Sequence, residues 1–153
     1  MRWGILGVWL LVAGPFLVIA QEARPKPETV KKTGKVVFLA SAMKTLGVPA
    51  DSDPIAKQVV LLEDDQTITP LLSDESSRAF FLDERLRDRK VELTARKFSG
   101  FPYLQVVAFR IEEQGVMRTP EYYCEICSIS VRFPQSCPCC QGTMEFRMKP
   151  EAP

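Results

Sequence analysis

The chain has 153 residues, 46% of them apolar and 25% charged, which is room for one ordinary domain and a small appendage. It contains no histidine, which excludes a Ser-His-Asp or Cys-His catalytic arrangement, a mixed Cys/His metal site and a CxxCH haem attachment. With 20 basic and 19 acidic side chains, the formal net charge of +1 provides no global field for nucleic acid or anionic lipid.

Arg2 precedes an almost wholly apolar run from Gly4 to Ala20, which ends in the small-residue pattern Val18-Ile19-Ala20. This predicts a secretory signal peptide over residues 1–20, cleaved after Ala20, and hence an exported protein, periplasmic or extracellular. The alternative is a retained membrane anchor; at about seventeen residues and broken by Pro15, the run is short for a span. Cleavage would remove Arg2 and leave 19 basic against 19 acidic side chains, a net charge of zero.

Residues 21–35 (QEARPKPETVKKTGK) are polar, carry Pro25 and Pro27, and have no hydrophobic period, so they read as an extended linker. Strand-like patterning begins at Lys35–Ala40 (KVVFLA), followed by one or two helical turns over Ser41–Leu46 that Gly47 and Pro49 end. Ala50–Pro54 is turn chemistry, Lys57–Glu63 a second strand, and Thr67–Leu72 a third. Pro70 cannot donate to a ladder, so the third strand should be an edge or contain a bulge.

Between Ser76 and Arg87 the period changes: Ala79, Leu82 and Leu86 fall at helical spacing, with Asp74 and Glu75 in front and Arg85, Arg87 and Arg89 behind. After this helix, VELTARKF alternates cleanly from Val91, and Gly100 and Pro102 turn the chain into Tyr103–Ile111, apolar on both faces. The order strand, strand, strand, helix, strand, strand resembles the OB-fold. Val36–Glu113 is similar to the exported bacterial OB-fold proteins. The resemblance implies a mainly β protein with a five-stranded OB-like barrel over 36–115, one helix between strands 3 and 4, and a potential ligand face.

All five cysteines fall in CEICSISVRFPQSCPCC, Cys124 to Cys140. Cys124-x2-Cys127, nine residues, then Cys137-x2-Cys140 makes two CxxC pairs, each able to chelate one side of a tetrahedral ion from a tight turn. Ser128–Phe133 and Thr143–Met148 both alternate, which predicts a β-hairpin capping the site. The arrangement resembles a zinc ribbon or the related rubredoxin-type fold over 119–149. Strict rubredoxin knuckles have a glycine after each pair, where this chain has Ser128 and Gln141. The resemblance implies one zinc ion held by Cys124, Cys127, Cys137 and Cys140, with Cys139 as the cysteine outside the pattern. Iron is a second possible occupant of four thiolates. Disulfides suit an exported chain, although five cysteines are an odd number and a CxxC pair closing on itself cross-links almost nothing.

Remaining candidates have plainer readings. The arginines of DERLRDRK (83–90), with Arg96, Lys97, Phe98, Phe101 and Tyr103, could track a single-stranded nucleic acid, but interleaved Asp83, Glu84, Asp88 and Glu92 favour a solvated face. Asp64, Asp65, Asp74 and Glu75 occupy turns and form no acid–base pair, and Tyr122 and Tyr123 are expected to pack over the metal site or the barrel. The chain as a whole resembles exported bacterial proteins that join such a barrel to a ribbon, a resemblance that implies no activity. The expected role is therefore non-enzymatic: an exported binding or structural protein with a structural zinc site, its partner an envelope protein or a small ligand. A metal-handling or electron-transfer protein using the cysteines is the alternative reading. Single-stranded nucleic-acid binding stands behind it, and a membrane partner arises only if residues 1–20 stay as an anchor.

Overall fold

The computed structural model describes residues 26–150, so the signal peptide expected over residues 1–20 lies outside the described residues. Over these residues the chain is mainly β, in two antiparallel sheets. The larger sheet contains β1 (Glu28–Phe38), β2 (Val59–Leu62), β3 (Ile68–Pro70), β4 (Lys90–Lys97), β5 (Leu104–Glu113) and β6 (Val116–Arg118). Their order is β3-β2-β1-β4-β5-β6. Two short helices, α1 (Leu39–Thr45) and α2 (Arg78–Leu82), lie between strands in sequence. The smaller sheet consists of β7 (Pro120–Cys124), β8 (Ile129–Val131) and β9 (Glu145–Met148) in the order β8-β7-β9.

Alternation along the strands builds the core. Val91, Leu93 and Ala95 of β4 are buried, as are Val36 of β1 and Leu104, Val106 and Ile111 of β5. α2 inserts Ala79 and Phe80 into this layer, and Phe80 packs on Phe109 with ring centroids 4.4 Å apart. The same cluster reaches across to the small sheet through Tyr122, with Phe146, Met148 and Val131 packed against it.

Four expectations change. Residues 28–35 are strand rather than linker, paired with β4 from Glu28–Lys97 to Lys35–Lys90. Cross-strand pairing supplies the order that the polar KKTGK sequence does not signal. The expected helix over 76–87 stops at Leu82, because Asp83 is extended (φ −116°, ψ 113°) and its carboxylate takes the Arg85 N–H to start a 3₁₀ turn over Glu84–Leu86. The five strands do not close into a barrel. β3 is only three residues long, and beyond it a single parallel bridge, Leu71–Leu104, meets β5. Finally, β8 and β9 do not form a hairpin with each other; each pairs with β7, which lies between them.

A buried polar cluster fastens the small sheet to the large one. The Tyr122 hydroxyl donates to Asp83 Oδ2 at 2.6 Å, and the Arg85 guanidinium holds both Asp83 oxygens at 2.6–3.1 Å while stacking on Phe146. Burial opposes ionisation of Asp83, but the hydrogen bonds from Arg85 and Tyr122 override it and hold the carboxyl down at about 2. Burial and the adjacent carboxylate push the Tyr122 hydroxyl up.

Because the folded carboxyl lies below its unfolded value, its stabilising effect is complete above pH ~4 and is lost as the pH falls towards about 2. Urea midpoints of the wild type should therefore drop between pH ~4 and ~2 more steeply than those of Asp83→Asn. Parallel pH curves for the two proteins would show that Asp83 carries no such linkage.

Candidate metal centre

The two CxxC turns have the same backbone geometry. In the first, the Ser128 N–H donates to the Cys124 carbonyl at 2.8 Å; in the second, the Gln141 N–H donates to the Cys137 carbonyl at 2.9 Å. Ser128 (φ 54°) and Gln141 (φ 60°) both occupy the left-handed region, at the position a glycine takes in a strict knuckle. Gly142 has a different task. A Cβ there would lie 3.3 Å from Cys140 Sγ, so the missing side chain leaves room for that sulfur, and the Gly142 carbonyl accepts the Cys137 N–H at 2.9 Å.

These turns bring Cys124, Cys127, Cys137 and Cys140 together, with every sulfur within 4.8 Å of the others. Cys124 and Cys137 are buried, Cys127 is half-buried and Cys140 exposed, so the cluster opens to solvent on one side. The four cysteines are positioned to hold a metal ion. A tetrahedral zinc–thiolate site, with Zn–S of about 2.3 Å, needs sulfurs about 3.8 Å apart. The Cys124–Cys140 separation of 3.6 Å meets that length within a few tenths. The donor set is all sulfur, as thiophilic ions prefer.

The thiols of the cluster pull on one another. The backbone N–H groups of Cys140 and then Cys139 hold the Cys137 thiol down at about 6, against the opposing effect of burial. The Cys127 thiol is pushed well up, first by Cys139 and then by Cys140. Cys124 also rises: the Cys127 N–H favours its thiolate, but burial and the Cys137 and Cys140 sulfurs outweigh that donor. One sulfur ionises readily and its neighbours then resist, as expected for crowded thiol groups.

Cys139, expected outside the ligand set, is exposed. Tyr122 packs in the core and Tyr123 lies under the Arg147 guanidinium, 3.3 Å from the ring centroid. The arginines after α2 are structural rather than merely solvated. Arg87 donates to the Phe80 carbonyl at 2.8 Å and stacks on Phe38, and Arg89 donates to the Glu112 carbonyl at 2.9 Å. Phe101 and Tyr103 form a ring pair 5.3 Å apart at the β4–β5 turn. Asp65 and Asp74 accept backbone N–H groups from Thr67 and Ser77, the turn roles expected of them. Sequence reasoning missed β7 and the Glu121 carboxylate, which accepts Ser130 Oγ and Arg147 Nε at 2.8 Å each. The adjacent tyrosines after Pro120 were the available signal, since aromatic residues favour strands.

No family model, no curated protein and no solved structure matches this chain.

Glycine at both left-handed positions should relieve the strain on the knuckles. Ser128→Gly with Gln141→Gly is expected to raise stability by about 0.5–1 kcal/mol per site, read from denaturant midpoints, with the capacity to bind a thiophilic metal unchanged. Destabilisation, or loss of metal, would contradict the knuckle geometry.

Proposed function

We propose that this is an exported, non-enzymatic protein whose C-terminal four-cysteine site binds one zinc ion structurally. One observation carries the reading: four sulfurs from two equivalent knuckles lie within 4.8 Å of one another. Four protein ligands leave no open position for substrate, which is the mark of a structural rather than a catalytic zinc. The small sheet adds support. Its strands have five, three and four residues, too little to fold on apolar burial alone, and a bound ion supplies what is missing.

The larger unit reads as an OB-like sheet that stays open rather than closing into a barrel. β1 pairs with both β2 and β4, α2 falls between β3 and β4, and the Leu71–Leu104 bridge joins the β3 end to β5 in parallel. The small sheet reads as a variant ribbon in which β7 separates the two expected hairpin strands. Export rests on residues 1–20, with their basic start, apolar run and small residues before the cleavage point. The activity is binding, to an envelope protein or a small ligand.

Elemental analysis combined with a free-thiol count tests the metal. Purified protein should carry one zinc per chain and one readily modified thiol, Cys139. Cys124→Ser or Cys137→Ser should lose the metal and most of the small sheet's protection from proteolysis, while Cys139→Ser keeps both. A red or brown protein with thiolate-to-iron absorption assigns iron and the electron-transfer reading; a metal-free protein with at most one free thiol assigns disulfides.

A further inference from the structure

A cleft of about 640 Å³ runs between the two sheets, well within the range of small-molecule sites. One wall comes from two cross-strand rows of the large sheet. Lys31 pairs with Thr94 and Thr94 with Ala108; two residues along, Thr33 pairs with Glu92 and Glu92 with Arg110. The other wall comes from Pro120 and Glu121 of β7, Ser130 of β8, Arg132 just after it, and Lys149 just after β9. Val107 and Val131 add apolar surface.

Charge in this cleft is lopsided. Five cations line it, Lys31, Lys32, Arg110, Arg132 and Lys149, against two carboxylates, Glu92 and Glu121. Both carboxylates are already engaged, Glu92 by Arg110 at 3.3 Å and Glu121 by Arg147 at 2.8 Å. Lys32 is engaged with Glu63 at 2.8 Å. Among the described residues, Lys31, Arg132 and Lys149 form no direct ion pair, although Lys149 lies near enough to Glu121 to help hold its carboxyl down. Arg132 is held by neutral acceptors, Ser76 Oγ at 3.1 Å and the Val107 carbonyl at 3.4 Å, so its position is set while its charge stays uncompensated. Three cations without a direct ion-pair partner, around a cleft with hydroxyl and methyl walls, favour a compact ligand with two or more negative groups.

We propose that the cleft binds a small polyanion, phosphorylated or polycarboxylated, through Lys31, Arg132 and Lys149. Lys31 comes from the large sheet and the other two from the small one, so the ligand bridges the sheets. Hydroxyls from Thr33, Thr94 and Ser130 line the space between the charges and suit a polar ligand backbone. The inference gives a chemical class to the binding role proposed above and does not depend on the zinc site.

Isothermal titration calorimetry on the full chain tests it. Fructose 1,6-bisphosphate and tricarballylate serve as probes because both chelate zinc weakly, and zinc content is measured after each titration. At least one should bind with a dissociation constant below about 1 mM, and the one preferred distinguishes phosphate from carboxylate ligands. Lys31→Gln with Lys149→Gln, and separately Arg132→Gln, should weaken binding at least about tenfold, while Lys44→Gln on α1 leaves it unchanged. The proposal is overturned if neither probe binds at about 10 mM, or if the cleft variants, shown folded by their unfolding temperatures, bind as the wild type does. Loss of binding with one zinc retained would remove the cleft proposal alone; loss of zinc with binding retained would remove the metal reading alone.

Discussion

Four thiols crowded within 4.8 Å of one another set the conditions for everything after Pro120. As neutral thiols they interact weakly; as thiolates they repel, and the opposite pulls on Cys137 and Cys127 express that conflict. A divalent cation at their centre, as proposed above, would remove it and turn the repulsion into cross-linking. The two CxxC turns, on either side of β8, would then be tied at one point.

β7 transmits this constraint to the rest of the molecule. Within five residues it carries Glu121, which ties β8 and β9 through Ser130 and Arg147. It also carries Tyr122, which reaches Asp83 in the buried cluster behind α2, and Cys124 in the thiol site. The thiol cluster, the small sheet and the large core therefore share one strand. Its register also places Pro120 and Glu121 in the cleft wall, so the binding surface proposed for the polyanion is held in shape by the same element. The short α2 follows from this arrangement: Asp83 leaves the helix because its carboxylate is needed by Arg85 and Tyr122.

Local pattern made much of this legible. The alternation of VELTARKF matches β4 almost residue for residue, and the double CxxC spacing picked out the four cysteines that the fold gathers. What escaped the sequence was set by non-local partners. The first half of β1 has one apolar side chain at Val30 among charged neighbours, and its order comes from pairing with β4 more than fifty residues on. The helix after Ser76 looked longer because Arg85 and Arg87 resemble a basic helix end. In fact they serve Asp83, the Phe80 carbonyl, and the rings of Phe146 and Phe38. The expected hairpin failed for a similar reason: adjacency in sequence favoured pairing β8 with β9, whereas β7, which precedes both, is the strand they share. At the knuckles, Ser128 and Gln141 looked like departures from the pattern, yet the backbone takes the same left-handed path there that glycine would allow.

X-ray absorption at the zinc edge of the purified protein reads directly what sits among the sulfurs. It should show one zinc with four sulfur neighbours at about 2.3 Å and no nitrogen or oxygen in the first shell. A mixed sulfur and oxygen shell would show that one of the four cysteines is not a ligand, and an absence of bound zinc would contradict the structural-zinc account altogether.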